Sequence, residues 1–234
     1  SGHQYTLYVD KSCQGEGLQS KSIPADGTGA MGVGDRYKQS IYERYVKRGL
    51  DILISLIGLI VLSPLIIVLC IVVKISDFGP AIFVQKRVGK NKQFFKLHKI
   101  RSIKTDSPHD VPTHMMTGTD SYTTKPGRFL RKSSMDELTQ FWDVFIGNIS
   151  LVGPRPALWN QDWLIAERDK YGANDIKPGL TGWAQINGRD RLSILQKAKL
   201  DGDYTVILRQ GGMKAFFLDL RCLLGTFFVC FRNN

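Results

Sequence analysis

The sequence predicts a predominantly helical α+β protein, on three observations. An uncharged apolar run extends from Ile52 to Val73. A basic stretch over 81–99 has strand-forming residues on both sides of a Gly- and Asn-containing turn. Near the C-terminus, Phe and Leu return at helical spacing. At 234 residues the chain fits one compact domain with appendages, and its 43% hydrophobic residues suffice for a core. Lysine and arginine outnumber acids 32 to 21, a formal net charge of +11. That balance points to an anionic partner: nucleic acid, an acidic membrane surface or a phosphorylated substrate.

In chain order, residues 1–40 come first. The stretch 1–35 is rich in Gly, Ser and polar residues, lacks periodicity and includes Gly27-Thr28-Gly29-Ala30-Met31-Gly32. It reads as flexible, is compatible with a vector-derived remnant, and adds nothing to the fold expectation. The four cysteines, Cys13, Cys70, Cys222 and Cys230, form no CxxC pair and have no histidines at metal-ligand spacing. They read as reduced thiols rather than as a zinc or disulfide framework.

Residues 41–76 hold the apolar run. As a straight helix it would reach about 33 Å, enough to cross a hydrocarbon core of ~30 Å. Two features compete with a simple spanning helix. Ser63-Pro64 sits mid-run, where proline removes a backbone donor and crowds the preceding turn. Each leg is then roughly ten residues, too short to span alone. Basic residues also flank both ends, Lys47-Arg48 before the run and Lys74 and Lys86-Arg87 after it, and such flanks favour the cytoplasmic side. A re-entrant helix that dips in and returns meets both conditions. A kinked spanning helix stays open beside it.

A hairpin follows, with strands Ala81-Ile82-Phe83-Val84-Gln85 and Phe94-Phe95-Lys96-Leu97 around Gly89-Lys90-Asn91-Lys92. From Lys86 to Lys104 there are eight basic residues, including Lys99 and Arg101, and no acid. The block suits RNA, lipid headgroups or nucleotide phosphates, and beside an anchor the last two are preferred; a solvated basic face is the plain alternative. Residues 105–124 read as a polar loop in which His109 and His114 match no metal motif.

Helical signals resume at Phe129. Ser134 and Glu137 fit the capping box S-x-x-E ahead of Leu138, Phe141, Trp142 and Phe145. Asp136 would then lie in the first turn, where the helix dipole favours an acid. The same placement suits chemistry. A helix N-terminus attracts phosphate, and Arg128, Arg131 and Lys132 cluster just before it. A carboxylate there can attack phosphorus, and a second can hold Mg²⁺. Spacing leaves cap and catalysis both open.

Two runs dense in Gly, Pro and basic residues come next, Leu151-Val152-Gly153-Pro154-Arg155-Pro156 and Lys177-Pro178-Gly179-Leu180-Thr181-Gly182-Trp183-Ala184-Gln185 with Arg189 soon after. They read either as structural turns or as rigid loops whose amides and arginines line an anion site. Within 213–234, Phe216, Phe217, Leu220, Leu223, Leu224, Phe227, Phe228 and Phe231 form a helical stripe. It is ordinary core or, next to an anchor, the apolar face of a helix lying in the membrane interface.

Together these segments resemble the monotopic phosphoglycosyl transferases, the bacterial initiating sugar transferases of surface-glycan assembly. The resemblance runs from about Tyr45 to Asp219. It rests on motifs in fixed order: Lys47-Arg48, Leu62-Ser63-Pro64, Phe83-Val84-Gln85-Lys86-Arg87, Lys99-Ile100-Arg101-Ser102, the run Leu130 to Leu138, and the two Gly/Pro runs. It implies transfer of sugar 1-phosphate from a UDP-sugar to polyprenyl (undecaprenyl) phosphate with release of UMP, by a ping-pong route through a covalent aspartyl intermediate. Asp136 would be the nucleophile and Glu137 the ligand of the cofactor Mg²⁺. Lys99, Arg101, Arg131, Arg155, Gln185 and Arg189 would bind substrate, and Asp201 and Asp219 would support the site. Lys47 and Arg48 would mark the membrane anchor, and Ser63-Pro64 would make it re-entrant at the cytoplasmic face of the bacterial inner membrane, among its lipids. Nucleic acid is not an expected partner, and a homodimer is compatible with the large apolar surface.

The family often has Pro where this chain has Thr139 and Asn where it has Asp143. The expected organisation is a flexible segment over 1–40, a re-entrant membrane helix over 41–76, a cytosolic catalytic domain over 77–212 and an amphipathic interfacial helix over 213–234, the small single-anchor form. Two rivals stand beside it: direct attack of the lipid phosphate on the UDP-sugar, and a basic membrane scaffold without catalysis.

Overall fold

The computed structural model describes residues 38–105 and 122–232. The flexible-segment reading of 1–35, Cys13 and the loop histidines His109 and His114 lie outside them. A π-helical turn, Tyr42–Lys47, runs directly into α1, Arg48–Ser76. Among the described residues α1 is the one helix long and apolar enough to cross a membrane. Ile60 and Val61 at its middle are 66% and 67% exposed, a surface that water does not favour. Pro64 deprives the Ile60 carbonyl of its usual amide donor. The Ser63 hydroxyl donates to that same carbonyl at 2.8 Å, so the Ser-Pro pair interrupts the backbone ladder and satisfies the acceptor it frees.

Both ends of α1 rest on one globular body. At its start Arg48 donates to the carbonyls of Val144 and Phe145, each at 2.7 Å, and Asp51 accepts the Leu151 amide at 2.9 Å. Near its end Val73 packs with Ile100 and Leu130, and Arg101 donates to the Asp77 carbonyl just beyond. A re-entrant anchor needs both ends on one side of the membrane, and contact of both ends with one body agrees with that.

The hairpin pairs β1, Ile82–Val88, with β2, Phe94–Ile100, antiparallel, Ile82 opposite Ile100 and Val88 opposite Phe94. The ladder carries both strands beyond their sequence-predicted ends. The next helix, α2, spans Lys125–Lys132 and starts before Phe129. Thr124 caps it by accepting the Gly127 amide at 3.0 Å, with Pro126 in the first turn.

The expected capping box at Ser134 does not form. Ser134 is left-handed at φ 56°, and its side chain makes no capping bond. Met135–Glu137 is a 3₁₀ turn, and the regular helix α3 begins only at Gln140 and runs to Ile146. The Glu137 carboxylate is drawn to two cations instead of reaching back to the chain. A genuine capping box closes the start of a later helix, Ser193 with Gln196.

The two Gly/Pro runs are partners. β3, Ser150–Val152, pairs in parallel with β4, Gly179–Thr181. Gly179 lies so close that a methyl there would run into the Gly153 amide. Four helices complete the body: α4, Asp162–Asp169; α5, Trp183–Ile186; α6, Ile194–Gln210; and α7, Gly212–Arg232. Val144, Ile149, Val152, Ile176, Tyr204 and Cys222 lie at the centre of the main core. The stripe on α7 divides. Phe216 and Leu223 pack on that core, while Phe217, Leu224, Phe227 and Phe228 are exposed. Cys70 and Cys222 are free thiols.

Candidate active site

A cavity of about 830 Å³ opens between the hairpin, the 3₁₀ turn and the segments following β3 and β4. Lys99, Arg101, Arg131, Asp136, Glu137, Arg155, Gln185, Arg189 and Asp201 all line it. Residues far apart in sequence are thus brought to one wall. β2 supplies Lys99, the turn after α2 supplies the acids, and the Gly-Pro-Arg-Pro loop after β3 supplies Arg155.

The adjacent acids differ in state. Glu137 Oε1 accepts from Lys99 Nζ at 2.8 Å and from Arg155 Nη2 at 2.7 Å. Burial alone would raise its pKa, but Arg155 and Lys99 overcome burial and hold the carboxyl well below the usual carboxylate range. Asp136 has no hydrogen-bond partner among the described residues. Burial pushes its carboxyl above the ordinary value; Lys99 pulls it down, the Glu137 charge adds to the rise, and Arg131 and Arg155 oppose it. One acid is therefore fixed and ionised, and the other faces the cavity uncommitted among cations. Burial also lowers Lys99, an effect Glu137 opposes.

The other cations are not equivalent. Arg131 lines the cavity near Asp136 and donates Nε to Ser102 at 2.9 Å. Arg101 lines the cavity too, but its guanidinium reaches the Asp77 carbonyl and Thr105 Oγ1, so it closes the far end of α1. Gln185 donates to the Leu180 carbonyl at 3.0 Å, and its Oε1 is buried without a partner among the described residues. That leaves an acceptor for a bound molecule.

Two further arginines brace the site, Arg168, which the sequence reading missed, and Arg87, which it read only as part of the basic block and a motif. Arg168 gives Nε and Nη2 to Asp201 at 2.9 and 2.6 Å, and Nη1 to the Arg155 carbonyl at 2.9 Å. It ties α6 to the loop that presents Arg155. Arg87 donates to the Pro156 carbonyl at 2.9 Å, in the same loop. Arg168 carries no spacing signal, since a lone arginine on a helix reads as surface.

Asp219 stands apart from the cavity. It accepts from Tyr42 and Tyr204 hydroxyls at 2.8 and 2.7 Å and from Lys47 Nζ at 2.7 Å. It joins the turn before α1 to α6 and α7. Lys47 is only 6% exposed, so this member of the basic flank is spent inside the protein, and Arg48 on the carbonyls of α3.

Among the described residues no cluster of three or more His, Cys, Asp or Glu gathers to hold a metal ion. Mg²⁺ does not require one, because it keeps several waters and takes one or two carboxylates together with substrate phosphates. Glu137, the expected ligand, offers a hard carboxylate oxygen for such a site beside the Oε1 that accepts from Lys99 and Arg155.

The family described as bacterial sugar transferase matches residues 42–233. The chain is 35% identical over 220 residues to the UDP-glucose:undecaprenyl-phosphate glucose-1-phosphate transferase of Klebsiella pneumoniae, an alignment covering 93% of this chain and 46% of that protein. It is 40% identical over 195 residues to the Escherichia coli K12 protein of the same name, covering 82% and 41%. The uncharacterized sugar transferase EpsL of Bacillus subtilis is 37% identical over 182 residues, covering 77% and 85%. The chain thus spans less than half the length of the first two relatives.

Proposed function

Since the chain belongs to the bacterial sugar transferase family, we propose that it moves a sugar 1-phosphate from a UDP-sugar to undecaprenyl phosphate and releases UMP, the first membrane step of surface-glycan assembly. The observation that carries this reading is the uncommitted Asp136 carboxylate on the cavity wall, set among Lys99, Arg131 and Arg155.

Asp136 attacks the sugar-linked phosphorus of the UDP-sugar. The bond from that phosphorus to the bridging oxygen breaks, its electron pair leaves with UMP, and an aspartyl phosphosugar anhydride forms. A phosphate oxygen of undecaprenyl phosphate then attacks the same phosphorus and expels the Asp136 carboxylate. Lys99, Arg131 and Arg155 stabilise charge on the phosphoryl oxygens in both steps. Glu137, with Asp136 beside it, would hold Mg²⁺, which shields phosphate charge when bound.

The membrane reading draws on α1 and α7. An apolar helix with both ends on one body, and exposed aromatics along α7, support a catalytic body that works at the cytoplasmic face of the inner membrane, where a soluble nucleotide sugar meets a lipid phosphate. A UMP-release assay over a panel of UDP-sugars tests the activity and identifies the sugar. Release that requires Asp136 is expected. Undiminished release by Asp136→Asn would overturn the assignment, and direct attack by the lipid phosphate would release UMP only with lipid present.

A further inference from the structure

His98, the residue before Lys99 in β2, is gripped from three directions by the helix that follows the acidic turn. Asp143 on α3 is 0% exposed. Its Oδ2 accepts the His98 backbone N–H at 2.9 Å, and its Oδ1 takes the His98 ring Nδ1 at 2.9 Å. Asn148 adds its side-chain amide to Oδ1 at 3.2 Å. One turn earlier, Thr139 donates its hydroxyl to the His98 carbonyl at 3.1 Å. A fully buried carboxylate is tolerated when such donors surround it. The contacts close a ring. β2 is joined to α3 through His98, and the turn that leads into α3 is joined back to β2 through Glu137 and Lys99 at 2.8 Å.

Thr139 and Asp143 stand four residues apart on the segment that leads from the acidic turn through α3. Both side chains converge on His98, and none of the three lines the cavity.

We infer that Thr139, His98 and Asp143 form a positioning latch: they fix β2 against α3 so that Lys99 meets Glu137 and Asp136 is left aimed into the cavity. The latch acts through Lys99 and the acidic turn rather than on substrate. It rests on the reading of Asp136 and Glu137 as the acids of phosphoglycosyl transfer. Catalytic groups work only when their support holds them within about 0.5 Å, and ~1 Å of misplacement can cost on the order of a hundredfold in rate.

The test pairs kinetics with a spectroscopic readout that does not depend on turnover. Thr139→Val removes one hydroxyl at nearly constant volume, and Asp143→Ala removes the carboxylate. For a UDP-sugar that the wild-type chain turns over, kcat is expected to fall about tenfold in Thr139→Val and about a hundredfold in Asp143→Ala, with KM within about twofold. Thr139→Ser, which keeps the hydroxyl, restores kcat. So does Asp143→Asn in large part, through one accepted and one donated bond to His98. In parallel, the ammonium resonance of Lys99 in 15N-labelled protein, sharpened by its bond to Glu137, is expected to be lost in Thr139→Val and recovered in Thr139→Ser. Unchanged kcat in folded Thr139→Val and Asp143→Ala, or a Lys99 resonance indifferent to Thr139→Val, would overturn the latch. Absence of UMP release from every UDP-sugar by wild type would instead count against the functional reading, and the Lys99 resonance would still decide the latch.

Discussion

Lys99 Nζ and Glu137 Oε1 are joined at 2.8 Å across the seam between β2 and the acidic turn. The contact divides labour between neighbours, with Glu137 held as a fixed anion and Asp136 left to the cavity.

That division predicts stability changes of opposite sign. Asp136 is raised by burial, so the folded state binds its proton more readily than the unfolded chain. Stability from this group is present at low pH and is lost as pH rises through the folded value. Glu137 is depressed by Arg155 and Lys99, so its contribution is present above the unfolded value and lost only as pH falls through the folded one. At pH 7, Asp136→Asn should therefore stabilise the fold. Glu137→Gln should destabilise it by about 2 kcal/mol, because it removes the charged acceptor that Lys99 and Arg155 share. Thermal unfolding of the two variants measures both; shifts of the same sign would contradict the assignment.

A pH profile follows from the same electrostatics. Asp136 must be ionised to attack, and Lys99 is the strongest influence pulling its raised pKa down. In Lys99→Met the acid limb of kcat should move to higher pH, beside a drop in the plateau. A limb that stays put or moves to lower pH would argue against Asp136 as the nucleophile.

Two buried ion pairs should behave differently. Asp219 holds Lys47, and Arg168 holds Asp201. Breaking either by Asp219→Ala or Arg168→Met should cost about 3–5 kcal/mol. Only Arg168→Met also releases the Arg155 carbonyl, so only that variant should lose kcat in its folded fraction. Urea titration together with kcat per folded molecule separates the two effects. Equal kcat loss in both would contradict the geometry.

The anchor makes a topological prediction. Tyr45 and Phe78 flank α1 and are 66% and 91% exposed. Cysteines placed at these two positions, with the native cysteines replaced, should react with an impermeant maleimide from the same side of sealed vesicles. Reaction from opposite sides would mean a spanning helix.

Local pattern carried some of this into the sequence. The apolar run and the hairpin were legible because their signals lie within one stretch of chain. The partnership of β3 and β4 was not, since Gly153 and Gly179 meet through a contact that no local window contains. The Ser134 cap failed for a different reason. A left-handed Ser134 and two cations competing for Glu137 outweighed a weak local preference. Asp201 and Asp219 looked alike in sequence, yet one lines the cavity and the other lies in a separate buried cluster with two tyrosines. Arg168 carried no signal at all, because its role exists only once α4, α6 and the Arg155 loop have come together.

The central claim is that Asp136 becomes covalently bonded to phosphorus. Intact-protein mass spectrometry after mixing the chain with its UDP-sugar, in the absence of any lipid phosphate, tests it most directly. A mass increase equal to the phosphosugar is expected, with a matching amount of UMP, removal of the adduct on adding undecaprenyl phosphate, and no adduct in Asp136→Asn. Absence of the adduct, with UMP released only when the lipid is present, would contradict it.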